Sequence, residues 1–425
     1  MLFRSVPGIC FKLCENLKNI DLRNIKTIGK GGFSGCKSLD FDVLPKDIRV
    51  NDSAFSGCGI KHITVENLNS IEGTEKVFSE CHQLTEAVIE VRGANIPQDV
   101  KEIPQALFSH YINLEKVLFT GMIGKITSIG FAAFEDTALK KFTIPENIKK
   151  IDSMAFFKTE HLTEITLPEK LKTIGRQTFS ESGLKSITLP DSVEFTETEC
   201  FRDCYNLEEV TLPAKEFVVP DGMFMNCTAL KKVNNADKIV QLGKYAFYGA
   251  NSLKQVDLSS AVNIGGSAFE CSGLTSVKLS KCCTTLDMNA FYKCKNLKLA
   301  DLSESSIEYF APYIFYRCGG NKLMTEVILP DKIWNVDEGA FVECYIKNLN
   351  IAAAAGKNVM ISENAFIESN IDVLTFADNP DSHVYLNESA FKNAFIGELT
   401  IPDYLYDKYK NVWDNVRSAW DDANK

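Results

Sequence analysis

Fourteen cysteines in a chain of 425 residues are the first groups that could do chemistry, as disulfides, metal ligands or nucleophiles. Nine of them stand three residues after a phenylalanine: Cys14, Cys36, Cys58, Cys81, Cys204, Cys227, Cys294, Cys318 and Cys344. That fixed offset fits a small buried residue at a recurring turn, its thiol a weak donor to backbone. If the copies stack, their Cα atoms lie roughly 5 Å apart, which permits a disulfide, but parallel Cβ vectors oppose the dihedral near 90°. The expectation is reduced thiols. Cys271, Cys282, Cys283 and Cys294 could be imagined as a zinc set, yet they contain no CxxC pair. His62, His82, His110, His161 and His383 fall in different repeats and registers, with no His-x-x-x-His pair and no evident Ser/His/Asp or Cys/His set. Gly29-Lys30-Gly31-Gly32 resembles a phosphate loop only superficially, because the order GK followed by Ser or Thr is absent. No metal, cofactor or catalytic residue is expected.

The elements that must position these groups follow from the phenylalanines at 11, 33, 55, 78, 108, 134, 156, 179, 201, 224, 247, 269, 291, 315, 341, 366 and 391. Eleven of the sixteen intervals are 22 to 24 residues long, and Ala precedes the Phe nine times. One unit shows the grammar: Phe156, Leu162, Ile165, Leu167, Pro168, Leu171, Ile174, then Phe179. Ile165 and Leu167 alternate with Thr166, which is strand periodicity. Pro168 ends that strand because it has no N–H to donate. Leu171 and Ile174 read as a second short extended segment, Gly175 as a tight turn, and the pair before each anchor as the start of a helical or 3₁₀ turn. One such repeat cannot bury its own apolar positions, whereas stacked repeats share a continuous core.

The unit Ala-Phe-x-x-Cys-x-x-Leu-x-x-Ile-x-Ile-Pro-x-x-Val-x-x-Ile-Gly resembles the BspA-type leucine-rich repeat, most closely over 133–151, 156–174, 179–193 and 315–336. The resemblance covers nearly the whole chain. It implies a mainly β, α/β repeat solenoid: a right-handed coil of about seventeen repeats over residues 1–402, with one long parallel sheet. It also implies a surface protein of the adhesion and protein-binding kind, with a host matrix or cell-surface protein as partner; the alternative is a secreted or intracellular scaffold that binds a host protein. Departures at the interval from Phe78 to Phe108, and at those ending at Phe134 and Phe341, should be insertions or distorted coils.

Candidate binding residues are then the outward strand positions on the concave face. Thr143, Thr166, Thr188 and Thr211 should form a column continuing through Asn234, Asp257, Lys278 and Asp301. Lys141, Glu164, Ser186, Glu209, Lys232 and Gln255 stand just before the first core residue of each strand. Two readings stand: a threonine ladder chosen for β-propensity with solvated charges around it, or a polar groove for an extended protein or glycan. Tyr248, Tyr292 and Tyr316 follow their anchors and either cover neighbouring coils or form an aromatic platform on the outer side.

The net charge of −10 argues against nucleic acid or anionic membrane as partner, since both need clustered Lys and Arg. No run of about 18 apolar residues occurs, so no transmembrane segment is expected. Met1 to Phe11 does not read as a signal peptide, and it begins inside a repeat, so export to a surface or secretion is expected from the resemblance alone. A monomer is expected. After Pro402, Leu405, Tyr409, Val412, Trp413, Val416 and Trp420 recur at helical spacing, with Asp403 as N-cap. Residues 403–425 should therefore form an amphipathic helix closing the open sheet end, membrane contact through the tryptophans being the alternative.

Overall fold

The computed structural model describes residues 4–45, 47–66, 77–91, 101–121, 125–319, 325–330, 333–352, 357–377, 383–413 and 416. It is a mainly β solenoid of parallel strands, in two compact units, Met1–Pro213 and Ala214–Lys425. Each repeat has three sides. The first side carries the Ile-x-Ile strand, the second the short segment after it, and the third the turn around the anchor phenylalanine.

In the first unit, first-side strands pair in parallel from Val43–Leu44 through His62–Val65 and Glu86–Val91 to Lys116–Gly121. Lys141–Thr143 pairs with Glu164–Thr166, and Ser186–Thr188 with Glu209–Thr211. The second segments form parallel ladders of their own, from Glu102–Ile103 to Phe195–Thr196. In the second unit the first side runs from Ser276–Lys278 to Phe395–Thr400, and the second side includes Phe217–Val219 to Thr285–Leu286 and Tyr309–Phe310 to Val384–Leu386. Late repeats lengthen the first-side strand to Cys344–Ile351 and Asn370–Phe376.

The anchor side is held differently from the helical turn expected. Alternate N–H groups reach the next coil: Met154, Phe156 and Lys158 donate to the carbonyls of Arg176, Thr178 and Ser180 at 2.9, 2.9 and 3.0 Å. The groups between them fold back, Ala155 to Asp152 and Phe157 to Met154. Spending every second donor on a neighbour prevents a helix and requires left-handed residues two before and two after the anchor, such as Met154 at φ 58° and Lys158 at φ 57°. A left-handed non-glycine residue costs about 1–2 kcal/mol. A net hydrogen bond returns about 0.5–1.5 kcal/mol. Backbone terms thus nearly cancel, and burial of the anchor ring, about 1.5–3 kcal/mol each, decides in favour of stacking.

The rings form columns. In the first unit Phe11, Phe33, Phe55 and Phe78 stack at 5.2, 5.5 and 5.7 Å. Phe108, Phe134, Phe156, Phe179 and Phe201 stack at 5.8, 5.1, 5.5 and 5.4 Å. In the second unit the column runs from Phe224 on Phe247 to Phe366 on Phe391. At the end Trp413, fully buried, lies 5.7 Å from both Phe376 and Phe391.

Trp413 belongs to the C-terminal helical segment, Asp403–Lys408 and then 410–413. Pro402, not Asp403, takes the cap position, and Asp403 is the first-turn acid. The Tyr409 hydroxyl donates to the Val384 carbonyl at 2.8 Å and accepts the Leu386 N–H at 3.2 Å, satisfying the edge of the last second-side strand. Val416 is helical and buried, while residues 414–415 and 417–425, Trp420 among them, lie outside the described residues.

Candidate functional site: the first strand side

The buried thiols occupy the turn as inert groups. Cys36, Cys58, Cys81, Cys204, Cys294 and Cys318 each donate to the carbonyl of the preceding anchor, at 2.9 to 3.2 Å. All 14 cysteines are free. Burial pushes Cys81 up to about 12 and Cys204 to about 11, and raises Cys58, Cys318 and Cys344 too. Cys14 is exposed, although the offset suggested burial, and no preceding coil among the described residues covers it. Of the conceivable zinc set, Cys283 and Cys294 are buried, Cys282 is exposed, and Cys294 donates to the Phe269 carbonyl. Among the described residues no cluster of three His, Cys, Asp or Glu is placed to hold a metal ion. Gly31 sits at φ 61° before its anchor, and a Cβ at Gly29 would fall 2.4 Å from Gly8 N, so the glycine run serves coil packing.

The first-side columns exist in part as expected. Thr143 lies opposite Thr166, and Thr188 opposite Thr211, in parallel register. Thr143, Thr166 and Thr188 are exposed and Thr211 half-buried. Lys141 and Glu164, one strand apart, bind each other at 2.8 Å. Glu209 is half-buried opposite Ser186. In the second unit Lys232 is exposed on the strand Lys232–Asn234, and Lys278 is exposed opposite Asp301. Lys278 reaches Glu304 at 2.8 Å and Asp301 at 3.9 Å, and the Glu304 hydrogen bond raises its pKa. Asp257 is exposed but stands in no strand, because residues 254–257 do not join a ladder.

Depressions interrupt this side where neighbouring strands do not pair, one of about 310 Å³ lying between Glu164–Thr166 and Ser186–Thr188. Two others are larger. One, in the first unit, has a volume of about 930 Å³ and lies where Lys116–Gly121 and Lys141–Thr143 fail to pair. Its floor includes Val117, Leu118, Phe119 and Phe142. The other, in the second unit, has a volume of about 480 Å³ and lies at residues 255–259 beside 276–280. Neither was evident from the sequence.

Two clusters on other sides also escaped the sequence reading. On the anchor side of the first unit, Ser109 donates to Glu135 at 2.8 Å and His110 Nδ1 lies 2.9 Å from Asp136. The imidazole also lies 3.8 Å, through Nε2, from Glu135, but the Ser109 hydroxyl is bonded to that carboxylate and not to the imidazole, so the set does not form a nucleophile–base pair. Their equal offsets from Phe108 and Phe134 were the available clue. In the second unit Tyr292 and Tyr316, which the sequence did single out, stack at 5.1 Å, with Lys293 and Arg317 over the rings. Tyr309, Trp334 and Lys357 meet on the second side, Lys357 Nζ lying 4.7 Å from the indole.

A coil of this grammar, closed by parallel ladders and a phenylalanine column, defines the leucine-rich repeat class. The sequence matches the BspA type leucine rich repeat region, in six copies, over residues 4–132, 127–218, 197–322 and 320–418, and the chain belongs to that family. Such proteins are typically surface or binding modules. Among solved structures, the chain is similar to a leucine-rich repeat protein from Bacteroides ovatus, with 20% identity over 76% of this chain and 82% of that one and a TM-score of 0.56. It is also similar to a leucine rich repeat protein of T. pallidum, with 28% identity over 40% of this chain and 78% of that one and a TM-score of 0.37. A leucine rich cell surface protein from Faecalibacterium prausnitzii shows 21% identity over 74% of this chain and 80% of that one, with a TM-score of 0.37. No curated protein matches. Among the described residues no helix is long and apolar enough to cross a membrane.

Proposed function

We propose that this chain is a non-catalytic binding protein of the adhesin kind, displayed at a cell surface or secreted, that takes an extended protein or glycan ligand along its first strand side. One observation carries the reading: outward side chains of equal register recur from strand to strand, as Thr143 with Thr166 and Thr188 with Thr211. An extended ligand meets such a surface through many weak contacts, with hydroxyl donors and acceptors from the threonines and discrimination from Lys141, Glu164, Glu209, Lys232 and Lys278. Surface display agrees with membership of a family whose proteins are typically surface or binding modules.

The test is binding of a panel of matrix proteins and glycans to Glu209→Lys and Lys232→Glu, singly and together. Affinity should fall several-fold with melting little changed, because Lys232 is exposed and Glu209 half-buried at the surface. Intact binding in these variants, with loss in Tyr292→Ala and Tyr316→Ala, would move the site to the anchor side.

A further inference from the structure

We infer that the polar depression on the first side of the second unit is a saccharide subsite for a neutral, hydroxyl-rich sugar unit. The inference rests on the strand-side reading above and narrows its ligand to a glycan.

It starts from a broken ladder. Gln255-Val256-Asp257-Leu258 has the same alternation as Ser276-Val277-Lys278-Leu279, yet only the latter forms a strand. Val277 is buried, whereas Val256 is half-exposed. The two segments are joined by the Thr275 N–H and hydroxyl, both donating to the Lys254 carbonyl at 2.9 and 3.2 Å. Beyond that point they separate, and the depression of about 480 Å³ opens between them. That volume suits a small ligand or one or two units of a longer one.

Its lining is held in place from behind. Asp257 Oδ1 accepts the Ser259 N–H at 2.9 Å. The Ser280 hydroxyl donates to the Ser259 carbonyl at 2.6 Å. Lys278 Nζ is fixed on Glu304 Oε1 at 2.8 Å. Among the described residues, Asp257 Oδ2, Glu304 Oε2, the Gln255 amide and the Ser276 hydroxyl make no hydrogen bond. Asp257, tied to the Ser259 N–H through Oδ1, keeps Oδ2 to spare and loses little entropy on binding.

The chemistry of those spare groups selects the ligand. A sugar hydroxyl both donates and accepts, and this lining offers carboxylate acceptors beside amide and hydroxyl donors. Two lining carboxylates, Asp257 and Glu304, face one ammonium, Lys278, so a sulfated or uronate sugar would meet like charge. Among the described residues no aromatic side chain lines the depression, and its apolar lining is the half-exposed Val256 and the buried Leu258, little to anchor a peptide side chain. The first unit's depression, floored by Leu118 and Phe119, has that opposite character.

The experiment is an array of neutral, amino-bearing and sulfated oligosaccharides, followed by calorimetry of the tightest neutral probe on the full chain. We expect neutral probes to bind, sulfated ones to bind at least tenfold more weakly, and Gln255→Ala/Asp257→Ala to lower neutral-probe affinity at least tenfold. Asp257→Asn, which keeps the acceptor for Ser259, controls for the turn, and thermal melting of each variant reports folding. Sulfated probes binding best, or neutral binding unchanged in the double variant, would overturn the saccharide assignment. If no sugar binds but a matrix protein does, and Glu209→Lys or Lys232→Glu abolishes it, the saccharide assignment fails while the strand-side reading stands. If a ligand binds and no strand-side variant affects it, both fail.

Discussion

Replacing Tyr111 by phenylalanine should weaken one defined joint of the coil. In regular repeats the anchor N–H donates to the carbonyl just before the next anchor, as Phe55 does to Val77 at 2.9 Å. The 30-residue interval from Phe78 to Phe108 breaks that rule. There the Phe78 N–H donates instead to the Tyr111 hydroxyl, at 2.8 Å in a buried setting. Tyr111 stands three residues after its anchor, where other repeats have Cys, Thr, Ser or Ala, and only a longer side chain spans the wider gap. Its phenol is 4% exposed, and burial holds its pKa well above the ordinary tyrosine value. Tyr111→Phe keeps the ring against Phe108, 5.7 Å away, and removes only the acceptor. The cost is therefore that of one buried, unsatisfied donor, about 1–3 kcal/mol.

Because a solenoid's stability is a sum of repeat and neighbour terms, the loss should be local. Amide hydrogen exchange at Phe78, Cys81 and Leu84 should accelerate roughly 5- to 150-fold, taking about 1.4 kcal/mol per factor of ten. Amides near Phe291 and Phe315 should be unaffected. Unchanged exchange around Phe78 would refute the argument that the hydroxyl stands in for a missing coil-to-coil bond.

Four further outcomes are expected. Thiol titration of unfolded, non-reduced protein should find most of the 14 cysteines free, and four or more disulfides would contradict the coil geometry. Because folding raises thiol pKa values, to about 12 for Cys81 and about 11 for Cys204 and Cys283, unfolded chains release protons above about pH 9 that folded chains keep. Stability should thus be level below pH 8 and fall from pH 9 to 11 in denaturant titrations, a fall reduced in Cys81→Ser/Cys204→Ser. Deleting 403–425 uncovers Phe391 and the Val384–Leu386 edge that Tyr409 satisfies, so melting should drop or aggregation rise, and unchanged behaviour would make the helix an appendage. Trp413→Ala alone should cost about 3–5 kcal/mol, as a large ring leaving a filled core does.

The repeat was legible because stacking enforces one spacing on every anchor, so the register of Thr143 with Thr166 follows from their shared offset. The carbonyl acceptors of the thiols were legible for the same reason. The alternating hydrogen bonds of the anchor side were not, since residues as different as Met154, Gln177 and Glu199 all adopt positive φ there. Their conformation comes from the neighbouring coil and not from local propensity. The break at 255–257 was invisible because its side-chain pattern is regular. The Ser109–His110–Glu135–Asp136 cluster was hidden by reading histidines along the chain when the informative comparison runs across it, position by position.

That crosswise reading bears on where recognition resides. Regular repeats satisfy themselves: Lys141 is taken by Glu164, Lys140 by Glu115 and Lys116 by Glu86, each between neighbouring coils. Such exposed pairs contribute only about 0–1 kcal/mol to stability, but each leaves its charge already answered. A ligand on the regular face must compete with these pairs for Lys141 and Glu164, so its discrimination there comes at the expense of a bond between neighbouring coils. Side chains with spare hydrogen-bonding capacity occur where the ladder opens, as at Gln255 and Asp257, and exposed apolar floor occurs at Leu118. On the proposals above, the repeats give a ligand regular spacing, and the departures from repetition add groups whose hydrogen-bonding capacity is not already spent on a neighbouring coil.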